Sequence, residues 1–139
     1  MLVPTRIQRS RKAGSTTPAN TKYCGRPGKW GNPFEVKKHN TNYYRVWVNV
    51  DGYIDPGFRR ACFGLALLKG TPGFETKKEA QAHAAFLFGC LMTAFPNRYR
   101  VVELRQYTHL SCWCAKGAPC HVDEIIKRIN HLPDAGKTI

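Results

Sequence analysis

The chain has 139 residues, 42% of them hydrophobic, which is enough for one ordinary core and too few for two full domains. No apolar run reaches the ~18 residues of a membrane span, and the start Met-Leu-Val-Pro-Thr-Arg lacks the apolar stretch of a secretory signal, so the expected compartment is the cytoplasm and no membrane partner is expected. A net charge of +13 favours polyanionic, phosphate-bearing partners, with an affinity that falls steeply with salt.

That charge is concentrated at the amino end. Within the first 38 residues Arg6, Arg9, Arg11, Lys12, Lys22, Arg26, Lys29, Lys37 and Lys38 face Glu35 alone, a local net of +8. Residues 1 to 20 are rich in Arg, Ser, Thr, Pro and Gly and poor in large apolar groups, so they read as a basic arm or a ligand-ordered loop. Residues 21–139 read as the folded domain. Lys22-Tyr23-Cys24 is a short strand, followed by a loop punctuated by Gly25, Pro27, Gly28, Gly31 and Pro33.

Tyr43 to Tyr53 is β-branched and aromatic and ends in the turn pair Asp51-Gly52, which predicts a strand and a candidate hairpin. Phe58, Cys62, Leu65 and Lys69 recur at helical spacing, so a helix opens at Pro56 or Gly57 and stops at Gly70. Thr76-Lys77-Lys78-Glu79 is a capping-box pattern, and Ala80, Ala84, Leu87, Phe88, Leu91 and Phe95 then trace one apolar face up to Pro96. Asn97 to Leu104 supports either a short helix or a strand. Leu110 to Cys114 reads as a short buried strand, Ala115 to Pro119 as a loop, and Val122, Ile125, Ile126 and Ile129 as the inner face of a last helix. Asp123 and Glu124 stand in its first turn and Lys127 and Arg128 near its end, as the helix dipole favours.

Strand, loop and helix in that order make half of a parallel α/β unit. The expected fold is therefore α/β: one small Rossmann-like domain of two or three layers, with a short, mostly parallel sheet and a basic N-terminal arm. Ligands of such folds gather at the carboxyl ends of the strands, beside helix N-termini.

Two motifs carry chemistry. The first is Tyr23-Cys24-Gly25-Arg26-Pro27-Gly28-Lys29-Trp30-Gly31-Asn32-Pro33-Phe34. Its glycines allow close backbone approach, so backbone N–H groups could face a phosphate, with Arg26 as a bidentate and Lys29 as a point contact. Trp30 and Phe34 could stack on a base, and Asn32 could read a base edge. Arg9 and Arg11 of the arm would add phosphate contacts. The alternative is a rigid turn whose aromatics plug the core and whose Asn32 caps a turn.

The second motif is Cys112-Trp113-Cys114 followed by Cys120-His121. The six cysteines also include Cys24, Cys62 and Cys90, and without an export signal they are expected to stay reduced, so the clustered ones read as metal ligands or reactive thiols. On a strand Cys112 and Cys114 share one face and Trp113 takes the other. Cys112, Cys114, Cys120 and His121 could then complete a tetrahedral site, zinc being the candidate cofactor. The competing reading is a reactive Cys120 at a helix N-terminus, with His121 as base and Glu124 as a nearby acid. His39, His83, His109 and His131 have no partner at metal spacing, and no Walker loop, dinucleotide fingerprint or deaminase signature is present.

The two motifs together resemble the family called domain of unknown function 4326, found in bacteria and their viruses and marked by a GRP-x-KWGNPF stretch and a later CWC with CH. The resemblance covers the first and last thirds of the chain and implies that the middle, about residues 35 to 95, is an insertion. It localises a site and supplies no activity. The functional expectation is a nucleotide- or nucleic-acid-acting protein, with an enzyme built on the phosphate-binding loop and the Cys/His site as one form of it. The alternatives are a non-catalytic nucleic-acid module stapled by a metal, and a small inhibitor that sequesters a nucleotide.

Overall fold

A computed structural model describes residues 3–39, 42–70 and 72–132. The strands are β1 (Thr5–Gln8), β2 (Thr21–Tyr23), β3 (Phe34–His39), β4 (Tyr43–Val48) and β5 (His109–Cys112). The helices are α1 (Pro56–Lys69), α2 (Lys77–Ala94) and α3 (His121–Asn130), with a 3-10 helix over Val101–Gln106. The fold is a small single-domain α/β one. β1, β5 and β2 form a parallel sheet in that order, and β3 and β4 form an antiparallel pair.

β5 is the central strand because Leu110 and Ser111 are buried and both of its edges are paired: Ser111 stands level with Ile7 on one side and with Tyr23 on the other. In a parallel sheet all strands point the same way, so Gln8, Tyr23 and Cys112 end at one rim. The chain leaving each of these ends builds the site.

The two long helices form where local patterning places them. The Asp55 side chain accepts from Gly57 N (3.0 Å) to start α1, which stops at Gly70, a residue with φ +83°. Thr76 Oγ1 accepts from Glu79 N (3.1 Å) and donates to Glu79 Oε1 (2.9 Å), so the predicted capping box starts α2. Ala80, Ala84, Leu87, Phe88 and Leu91 are buried as their spacing requires. In α3, Val122, Ile125 and Ile129 are buried, while Ile126 lies at the edge of the core. α2 packs against α3 and against the β3–β4 pair.

Two expectations are corrected. Residues 1 to 20 are not an arm throughout, because Thr5–Gln8 pairs along the whole of β5; the composition hides this because a four-residue edge strand is imposed by its partner. β4 does belong to a hairpin, but its partner is the upstream β3, and Asp51-Gly52 turns the chain towards α1 instead. The open choice between a short helix and a strand after Asn97 falls to the helix, the 3-10 helix of Val101–Gln106. The middle of the chain contributes Phe58, Cys62, Leu87, Phe88 and Leu91 to the same core as Leu110 and Val122. Among the described residues no helix is long and apolar enough to cross a membrane.

Candidate functional site: a thiol cluster in a basic cleft

β5 stops at Cys112, and Trp113 and Cys114 lie in the bend beyond it. Strand alternation therefore ceases to govern them, and Trp113 lines the same cleft as Cys112 and Cys114 rather than the opposite face. The turn Ala115–Ala118 closes with Ala118 N donating to Ala115 O (3.0 Å) and delivers Cys120 to the N-cap position of α3. Arg6 clamps this turn. Its guanidinium donates to Ala118 O (2.9 Å), Ala115 O (2.9 Å) and Asp123 Oδ2 (2.7 Å).

The result is a convergence of three thiols. The Sγ atoms of Cys112, Cys114 and Cys120 all lie within 4.8 Å of one another, and Cys120 Sγ donates to Cys112 Sγ at 3.3 Å. All six cysteines are free. Hydrogen bonds from Cys112 and then from Cys120, with the Arg6 charge adding to them, hold Cys114 well below the usual thiol range. The bond with Cys114 pushes Cys112 up against a lowering bond with Cys120, the bonds with Cys112 and then Cys114 push Cys120 up, and burial adds to both. Cys120, the expected nucleophile, is buried whereas Cys114 is half-buried, and these bonds favour negative charge on Cys114 over Cys120.

His121 joins the two motifs. Its Nε2 lies 2.7 Å from Cys24 O and 2.9 Å from Trp30 O. Both partners are carbonyls that can only accept, so Nε2 carries the proton and donates to both, leaving Nδ1 as a lone pair. Burial lowers the imidazole's pKa and keeps it neutral. Nδ1 is 3.7 Å from Cys120 Sγ, but the ring stands outside the three-sulfur group, so three of the four expected metal ligands converge and the fourth does not.

The glycine-rich loop is a packed wedge. Gly28 N donates to Gly25 O and Gly31 N to Gly28 O, both at 3.0 Å, and Tyr53 Oη donates to Gly28 O and Gly31 O. These N–H groups are spent within the loop and do not face a ligand, contrary to the phosphate-cradle expectation. A side chain at Gly31 would meet the Arg26 and Gly25 backbone at 2.6 Å, which explains the glycine there. Trp30 is 3% exposed and packs edge-on to Tyr99 with ring centroids 5.6 Å apart, so it plugs the core and cannot stack on a base.

The other expected contacts divide. Asn32 donates to Ala84 O (3.1 Å) and accepts from Phe34 N (2.9 Å), which makes it a buried anchor between the loop and α2 rather than a base reader. Lys29 pairs with Glu103 (3.2 Å) and does not line the cleft. Glu124 faces Gly89 of α2, not the thiols. Arg26 does line the cleft, held by Asn32 O (2.7 Å) and Glu35 (3.6 Å). Arg11 lines it too, with its guanidinium 4.8 Å from the Trp113 ring centre, and Arg9 sits over Tyr23 (4.6 Å) and Trp113 (5.4 Å).

The cleft has a volume of about 550 Å³. The thiols and His121 form part of its lining, and Arg11, Arg26 and Lys77 supply its positive charge. Trp113 is 43% exposed and is held by its indole N–H donating to Tyr23 Oη (2.9 Å). Sequence reasoning missed Trp113, Tyr23, Lys77 and Gln81 as cleft residues. Lys77 carried a signal only for a helix start, and Trp113 was assigned by alternation past the end of the strand. Arg6 looked like one more polyanion contact.

The fold and site define a small α/β protein whose cleft, at the carboxyl ends of parallel strands, joins a tryptophan, three cationic side chains and a cluster of three thiols. The chain belongs to the family described as Domain of unknown function (DUF4326), which matches residues 7–131 and so runs through the middle segment as well as both motifs. No curated protein and no solved structure matches it.

Proposed function

We propose that the cleft binds a nucleotide unit, free or within a single-stranded nucleic acid, with the base against Trp113 and the phosphate among Arg11, Arg26 and Lys77. The observation that carries this reading is the half-exposed indole of Trp113 set beside those three cations in one cleft. An indole offers a flat apolar face that any base can stack on, while the cations recognise phosphate. The volume of about 550 Å³ falls within the roughly 300–1,000 Å³ typical of small-molecule sites. The net charge of +13 speeds the arrival of a polyanion. The general tendency of ligands in open α/β sheets to sit beyond the carboxyl ends of parallel strands supports a site on the same rim.

The test is binding of a panel of mononucleotides and short single-stranded DNA and RNA, followed by tryptophan fluorescence and calorimetry. Trp113→Ala should weaken binding by about 5- to 150-fold, the equivalent of roughly 1–3 kcal/mol of stacking. Lys77→Ala should weaken it while flattening the salt dependence by about one phosphate contact. Binding that is unaffected by Trp113→Ala, or no binding of any panel member, would sink the reading.

A further inference from the structure

We propose that Cys112, Cys114 and Cys120 bind one zinc ion as thiolates and that the fourth coordination position opens into the cleft. This is independent of the nucleotide reading, because it rests on the sulfurs alone.

Zinc–thiolate bonds of about 2.3 Å at tetrahedral angles place sulfurs about 3.8 Å apart. The three Sγ atoms already lie within 4.8 Å of one another, those of Cys120 and Cys112 at 3.3 Å, so a small adjustment of side-chain torsions admits one ion. Sulfurs this close suit a mononuclear centre; the cysteines of a polynuclear iron–sulfur cluster stand further apart. An all-sulfur set also selects a thiophilic ion over magnesium or calcium.

The frame is built before any ion arrives. Cys112 ends the central strand, Cys120 occupies the N-cap of α3 without using its side chain as a cap, and Arg6 ties down the turn between Cys114 and Cys120. Arg6 also offsets the net negative charge that three thiolates leave on a divalent ion. Binding would release the thiol protons to solvent.

His121 stands outside the three-sulfur group, with its ring fixed there by the Nε2–H bonds to Cys24 O and Trp30 O and by the edge contact with Phe88, whose centroid is 5.0 Å away. The fourth position therefore falls to water or to an anion in the cleft, as in zinc sites that keep one position open.

A full-length, reduced preparation should carry about one zinc per chain by elemental mass spectrometry. After stripping by chelator, titration with cobalt(II) should saturate at one ion per chain, with sulfur-to-cobalt charge-transfer absorption and the visible bands of a four-coordinate ion. Azide should shift those visible bands by entering the open position. Cys114→Ser, at the half-buried corner, should weaken cobalt binding at least tenfold while circular dichroism stays native, whereas Cys90→Ser and His121→Asn should keep the charge-transfer bands. A folded, reduced chain that takes up no cobalt, or unchanged bands in Cys114→Ser, would overturn the site. A native mass lower by two hydrogens and restored by reductant would replace it with a Cys112–Cys120 disulfide. Loss of the bands in folded His121→Asn, or no response to azide, would overturn the open position.

Discussion

Replacing Arg6 by alanine removes three contacts at once: two bonds to the Ala115 and Ala118 carbonyls and the pair with Asp123. The guanidinium side chain is only 12% exposed, so its carbonyl bonds are shielded, whereas Asp123 is 56% exposed and its pair is largely screened. A hydrogen bond to a charged group is worth about 1.5–3 kcal/mol, and the exposed pair adds at most about 1. Part of the first figure is regained because the freed carbonyls lie in a surface turn and can take water. Arg6→Ala should therefore cost about 2–3 kcal/mol, a fall in Tm of roughly 8–12 °C for a chain of this size. Asp123→Ala, which loses only the screened pair, should cost less than about 1 kcal/mol. Arg6→Lys should fall between them, because a single ammonium cannot span both carbonyls. The measurements are urea and thermal unfolding in chelator and reductant, so that no metal contributes, together with the rate of native-state thiol modification. Arg6→Ala should also make Cys112 and Cys120 reactive well below the unfolding midpoint, since the turn opens locally. A loss in Arg6→Ala no greater than in Asp123→Ala would refute the clamp.

Two further outcomes test the packing around the site. Gly31→Ala would set a methyl group 2.6 Å from the backbone of Arg26 and Gly25, and should cost about 3 kcal/mol or more, or prevent folding; Gly64→Ala, in open space on α1, should be neutral or stabilising by up to about 1 kcal/mol, and equal urea midpoints would contradict the structure. Burial pushes the Cys62 thiol from 9.0 up to about 11. The unfolded chain then ionises first, so this contribution is complete below pH 9 and is lost as pH rises through 11, about 2 kcal/mol by that point. Cys62→Ala should flatten the alkaline fall in stability by that amount, and an unchanged slope from pH 9 to 11 would exclude it.

Elements with a local cause could be read from residues close in sequence. α2 follows from Thr76, Glu79 and one apolar face, and α3 from Val122, Ile125 and Ile129 with acids in its first turn. Their signals sit within a few residues of one another, the range over which helix periodicity and capping operate. β1 has no such signal: Thr-Arg-Ile-Gln becomes a strand because β5, about a hundred residues away, offers it a free edge. Nor does anything in the pattern of the middle segment, read as an insertion relative to the family, show that its Leu87 and Phe88 meet the core built by β5 and α3.

At the site, the sequence by itself determined which chemistry is present: a loop dense in glycine, tryptophan and base, and a cluster of thiols with one imidazole. Tertiary structure alone decided how that chemistry is deployed. The sequence pointed to Trp30 as the stacking residue and gave Trp113 no role, and only packing shows that Trp30 is sealed against Tyr99 while Trp113 faces the cleft. Among Arg6, Arg26 and Lys29, identical in formal charge, one clamps a turn, one lines the cleft and one pairs with Glu103 away from it. His121 was read as a ligand or base from its place beside Cys120, yet its ring is held by carbonyls 97 and 91 positions away. Backbone carbonyls are the same in every residue, so no spacing or residue type announces which of them a distant imidazole will meet; that is settled only when strand, loop and helix are brought to one rim.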